Sequence, residues 1–187
     1  MAVPSPRQRL SIDEFQRMTE TGVFSEDERL ELIRGELVEM SPIGGPHATA
    51  VRRLTNQLTA RLGPRVILDV QNPLLIREHQ SELYPDLMLL RPREDFYSAG
   101  KPTPRGALLV IEVADSSLSY DRDVKIPLYA ESGIPEAWLV DLNSGTVFVY
   151  RQPSPERYQE VNQYRRGDAI SPEAFPEARF AVDEILG

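Results

Sequence analysis

The sequence predicts an α/β sandwich, a mixed β-sheet flanked by helices. Strand-like runs arrive in local groups separated by helical segments, in the order helix, strands, helix, strands, helix, strands. The most apolar run, Ala107–Ala114 (ALLVIEVA), reads as a central strand. A segment in the first third, His47 to Leu62, carries Ala48, Val51, Leu54, Leu58 and Leu62 at the spacing of one helical face.

Each element has its own signal. Ser11-Ile12-Asp13-Glu14 matches a capping box and predicts a short helix to about Glu20. Residues 30–40 read as two strands around a tight Arg34-Gly35 turn. Ser41 to Pro46 is a loop, rich in Gly and Pro. After the helix come three strand candidates: Val66–Gln71, Leu74–Arg77 and Tyr84–Leu90. Residues 91–106 form a long loop. Beyond the central strand, Asp121 is placed to cap a helix running to about Ser132, with Pro127 tolerated in its early turns. Glu136–Asp141 and Thr146–Arg151 flank Asn143-Ser144-Gly145, a hairpin signal. The tail adds a strand near Tyr158–Tyr164 and a short terminal helix.

Composition sets the bounds. At 187 residues, without repeats or a linker, the chain suits one domain, with residues 1–10 as a loose Pro- and Arg-rich arm. There are no cysteines, so disulfides, thiolate metal sites and cysteine nucleophiles are excluded. No apolar run approaches the roughly 18 residues of a membrane span, and no signal peptide opens the chain, so the expected compartment is the cytoplasm. The charge balance is 21 − 29 = −8. That opposes whole-surface attraction to nucleic acid but permits a local basic face. Residues 47–65 supply one: Arg52, Arg53, Arg61 and Arg65 with no acid among them. Lysine is scarce: only Lys101 and Lys125.

The chemistry gathers at three residues. Glu112 lies inside the strand most apolar in the chain, where an unpaired carboxylate costs several kcal/mol. Asp86 opens the strand that runs to Leu90, while Glu112 closes the next. If the two strands are antiparallel neighbours, both acids meet at one sheet edge. Two carboxylates so close repel unless a cation lies between them, and oxygen ligands without a His or Cys cluster favour Mg²⁺ or Mn²⁺. Lys125 follows on the next helix, four residues past Asp121 and on the same face. It is either half of a surface ion pair or an ammonium beside a metal site.

Pro85-Asp86 on one strand and Glu112 on the next resemble the pattern of the PD-(D/E)XK nuclease superfamily. More closely, LELIRGELVEMSPIGGPH (30–47), YPDLMLL (84–90) and LLVIEVADSSLSYDRDVKIPLYAESGIPEAWLVDL (108–142) resemble the Uma2 family of restriction-type endonucleases. The resemblance implies a restriction-endonuclease-like core, a divalent metal (Mg²⁺ or Mn²⁺) and hydrolysis of phosphodiester bonds in nucleic acid, with DNA the expected substrate and a homodimer the expected assembly. It makes Asp86, Glu112 and the carbonyl of Val113 the metal ligands and Lys125 the residue that positions the attacking water. Glu36, in a family-like position just past the hairpin turn, is either an outer carboxylate of the site or an exposed hairpin residue. His47, Arg52, Arg53 and Arg61 form the nucleic-acid contact. The chain departs from the superfamily at Ala114, where the pattern has Lys; Lys125 stands as its replacement. The alternative is an inactive binding or assembly protein that kept the fold.

Overall fold

The computed structural model describes residues 9–25 and 28–187; most of the expected arm, residues 1–8, lies outside the described residues. Helix α1 (Ile12–Glu20) is held by the expected capping box: the Glu14 amide donates to Ser11 Oγ at 3.2 Å, and the Ser11 amide donates to Glu14 Oε2 at 2.8 Å. Strands β1 (Leu30–Ile33) and β2 (Glu36–Glu39) form an antiparallel hairpin. Its turn places Arg34 and Gly35 at φ 52° and 80°. Only glycine fits the second position, because a Cβ there would stand 2.9 Å from the Leu10 carbonyl oxygen.

Helix α2 (Gly45–Leu62) starts two residues earlier than the apolar spacing shows, with Pro46 in its first turn. Then follow β3 (Ile67–Val70), β4 (Leu74–Ile76), β5 (Ser81–Leu83), β6 (Leu87–Leu90) and β7 (Ala107–Ala114). A helical stretch comes next: α3 (Leu118–Tyr120), a π-helical turn (Asp121–Lys125) and α4 (Ile126–Glu131). The chain ends through β8 (Glu136–Asp141), β9 (Thr146–Pro153), β10 (Tyr158–Arg165), the small pair β11 (Ala169–Ile170) and β12 (Phe180–Ala181), and α5 (Val182–Leu186).

The main sheet has six strands in the order β10-β9-β8-β7-β6-β3. It is mixed because β7 and β8 run parallel while its other neighbours are antiparallel. The α3–α4 stretch makes the crossover that a parallel pair requires.

The single sheet expected from the sequence is in fact two larger sheets. A second antiparallel sheet, β2-β1-β5-β4, takes Leu74–Ile76 and the hairpin away from the main one. Strand β5 was illegible because two of its three residues, Ser81 and Glu82, are polar; both are buried, and Glu82 is paired with Lys101 at 2.6 Å. The segment Tyr84–Leu90 is therefore not one strand. Tyr84-Pro85-Asp86 crosses from the second sheet to the main sheet, and β6 begins at Leu87.

Period-2 alternation divides the core. Leu109, Ile111 and Val113 of β7 pack with Leu54, Leu58 and Leu62 of α2. Val110 and Ala114 face the other way, with Ile126, Leu128 and Tyr129 of the crossover. Trp138 fills the α2 side, edge-on to Phe180 with centroids 6.3 Å apart. Glu112 shares its parity with Val110 and Ala114 and so faces the crossover helix.

Candidate active site

The site lies where β6 begins and β7 ends. Leu87 pairs with Ile111 in the antiparallel ladder, so one further step sets Asp86 beside Glu112. The edge-to-edge convergence expected from the sequence is present. A cleft of about 410 Å³ opens over it, walled by the second sheet, the start of α2 and the π-turn. Gly44, ahead of α2, allows the approach: a Cβ there would stand 3.2 Å from Asp115 Oδ2.

Asp86 is held by three donors from three parts of the chain. The Val113 amide donates to Oδ2 at 2.8 Å, the Gln71 side-chain amide donates to Oδ1 at 3.2 Å, and His47 Nε2 lies 2.9 Å from Oδ1. The hydrogen bond with Asp86 raises the His47 pKa above its ordinary value, against the opposing effect of burial. In an extended strand the N–H and C=O of one residue point to the same side, so the Val113 carbonyl faces the Asp86 edge too.

Glu112 is 2% exposed. The Tyr129 hydroxyl donates to Oε1 at 2.5 Å, and Lys125 Nζ lies 3.4 Å from the same oxygen. Burial pushes its pKa well up; Lys125 opposes this, and the carboxylates of Asp121, Asp86 and Glu31 reinforce it. Lys125 Nζ donates to Glu31 Oε1 at 2.8 Å. Burial alone would lower the lysine's pKa, but Glu112, Glu31 and Asp121 outweigh it and keep the group an ammonium. The surface pair Asp121–Lys125 is thus replaced by buried pairs. Asp121 does not cap a helix: it lies within the π-turn, buried, and accepts from the Ser117 hydroxyl at 2.5 Å. Ala114, the position of the superfamily lysine, is fully buried on the crossover side. Lys125 reaches the cluster from above that packed position.

Two expected sites are corrected. Glu36 is exposed on β2, opposite Ile33, and does not line the cleft. The hairpin acid that turns inward is Glu31 on β1, which also accepts the Tyr84 amide at 2.8 Å. The arginines of α2 are mostly spent inside the molecule. Arg53 donates to the Leu186 carbonyl at 2.8 Å, Arg61 pairs with Glu184 at 2.7 Å and covers the Phe180 ring, and Arg65, in the turn just after α2, pairs with Glu177. The terminal segment that does this carries its acids far along the chain, so the basic run looked free. Arg52 is exposed and makes no hydrogen bond or ion pair among the described residues.

The sequence reading passed over Glu31, Gln71 and Tyr129. Glu31 had a visible signal, an acid inside the apolar run LELI. Gln71 had none: it is a polar residue beyond a strand, held at φ 53°.

Among the described residues no three His, Cys, Asp or Glu side chains already surround one point. The donor chemistry nonetheless suits a hard cation. Glu31, Asp86, Glu112 and Asp121 face the cleft with Lys125, Arg29 and His47 against them, and the repulsion at Glu112 is what a cation relieves. Two buried polar atoms there, His47 Nδ1 and the Tyr120 hydroxyl, have no hydrogen-bond partner among the described residues.

A mixed sheet that gathers acids at one edge, with helices on its two faces, defines a restriction-endonuclease-like core. The chain belongs to the Uma2 family, described as "Putative restriction endonuclease", whose model matches residues 12–183. Among solved structures it resembles a crystal structure of "a putative nuclease belonging to DUF820" from Anabaena variabilis. The two are 18% identical, with a TM-score of 0.74, covering 95% of this chain and 97% of that one. At that identity the likeness carries the fold. No curated protein matches the chain. Among the described residues no helix is long and apolar enough to cross a membrane.

Proposed function

We propose that this protein is a divalent-metal-dependent nuclease that hydrolyses phosphodiester bonds of nucleic acid. The observation that carries the reading is the meeting of Asp86 and Glu112 at one sheet edge beneath Lys125. Asp86, Glu112 and the Val113 carbonyl are the groups that would hold Mg²⁺ or Mn²⁺. When bound, the ion supplies charge neutralisation on the phosphate and acidification of the attacking water.

The chain's own residues set the rest. Lys125, fixed as an ammonium by Glu31, donates hydrogen bonds and positive charge toward the reacting phosphate but takes up no proton. His47, Gln71 and the Val113 amide fix the Asp86 carboxylate. Tyr129 and Lys125 do the same for Glu112. The test is cleavage of supercoiled plasmid and single-stranded DNA in Mg²⁺ or Mn²⁺ against EDTA. Wild type cuts only with metal, and Asp86→Ala and Glu112→Ala do not cut. A folded wild type that leaves every substrate intact overturns the reading in favour of a protein that only binds.

A further inference from the structure

A second concavity adjoins the cleft. It is a groove of about 590 Å³ between the outer face of α2 and the end of β3, lined by Ile43, Arg52, Thr55, Asn56, Val70 and Gln71, among others. Ile43 lines both concavities. Gln71 lines the groove and donates to Asp86, so the groove begins where that carboxylate is anchored.

The charge of the two differs in sign. The cleft is lined by Glu31, Glu39, Asp86, Glu112, Asp115 and Asp121. Against these six acids stand Lys125, Arg29 and His47, so a polyanion has a place there only where those groups and a bound cation offset the acids. Among the described residues the groove has no acidic lining residue, and its one charged side chain is Arg52. The other arginines of α2 are bound to the terminal segment, which leaves this face as the part of the helix that can meet a phosphate.

We propose that the groove seats one strand of nucleic acid on one side of the scissile phosphate, with Arg52 holding the neighbouring phosphate. This rests on the nuclease reading of the cleft. The occupant is a single strand. The carboxylates it must reach are 9% exposed at Asp86 and 2% at Glu112, at the base of a concave site. A paired strand presents its phosphates on a convex, rigid surface, while a single strand can bend inward. Among the described residues no aromatic side chain lines the groove for bases to stack on. Its contacts come from Arg52 and neutral polar groups on α2, so it grips backbone without reading sequence.

The test is fluorescence anisotropy with a labelled single-stranded oligonucleotide and the matching duplex, in Ca²⁺ and in EDTA, across a salt series. The proteins are wild type, Arg52→Gln, Arg52→Glu and the remote control Arg157→Glu. Cleavage by wild type and Asp86→Ala runs in parallel. The expected result is preference for the single strand and affinity about threefold or more weaker in Arg52→Gln. The salt slope of log affinity should fall by about 0.7. Arg157→Glu matches wild type, and mixed oligonucleotides of different sequence bind alike. Unchanged binding and slope in Arg52→Glu, with cleavage still dependent on Asp86, overturns the groove and leaves the nuclease standing. Preference for the duplex does the same. A wild type that neither binds nor cuts overturns both.

Discussion

The ammonium of Lys125 lies 2.8 Å from a carboxylate oxygen of Glu31, a residue 94 positions earlier in the chain. The pair joins the second sheet to the crossover helix of the main one. It sits within reach of Glu112, and both side chains are almost wholly buried. Lys125 is thereby a structural residue as well as the ammonium of the proposed reaction, which shapes what its removal does.

Replacing Lys125 with methionine leaves Glu31 and Glu112 buried without their cation. Breaking a buried pair in this way costs about 3–5 kcal/mol. Urea unfolding at pH 7 should show a loss of that size. Glu31→Gln should cost less, because Lys125 keeps Glu112. A Lys125→Met protein within about 1 kcal/mol of wild type contradicts the buried pairing.

Glu112→Gln should act in the opposite direction on stability. The folded state raises the Glu112 pKa, so above its ordinary value of 4.5 folding holds a proton that the unfolded chain releases. Stability contributed by the protonated acid is therefore lost as pH rises from 4.5 toward the folded value. Glutamine does not titrate. Thermal melts without divalent metal should show Glu112→Gln gaining on wild type as pH climbs above 4.5, while cleavage is lost. A gap that does not change with pH refutes the assignment.

His47 titrates with the same sign, in a higher pH window. Its bond to Asp86 raises the folded pKa above 6.5, so its stabilising effect is full below 6.5 and disappears as pH rises through the folded value. In metal-free buffer, the advantage of wild type over His47→Gln should be largest at mildly acid pH and shrink toward alkaline pH. In an Asp86→Asn background that pH dependence should vanish.

Arg61→Ala should be a packing variant. Its side chain is 30% exposed, and it pairs with Glu184 over the Phe180 ring. Screening limits the ion pair and the ring contact together to about 1 kcal/mol. Oligonucleotide affinity should not change. A marked loss of binding with unaltered melting would return Arg61 to the nucleic-acid face.

Much of this was legible in the sequence. The capping box at Ser11, the hairpin at Arg34-Gly35 and helix α2 follow local rules, and local rules need no partner. Asp86 and Glu112 were readable because both are acids at the ends of apolar runs, and antiparallel pairing brings such ends together. The rest depended on distant parts of the chain. Splitting the strands into two sheets rests on β5, whose Glu82 is neutralised by Lys101 from a later loop. The inward turn of Glu31 depends on Lys125, and the silencing of Arg53 and Arg61 depends on α5. Glu36 and Glu31 lie five positions apart on one hairpin; which of them faces the site is set by the sheet against which β1 packs.

Asp86 and Glu112 are the two side chains proposed to converge on one divalent cation. Calorimetric titration of Mn²⁺ into wild type, Asp86→Asn and Glu112→Gln tests this convergence without recourse to any substrate. Wild type should show a saturable site whose affinity collapses in both variants while their folds persist. Unchanged Mn²⁺ binding in both variants, or no binding in wild type, would contradict it.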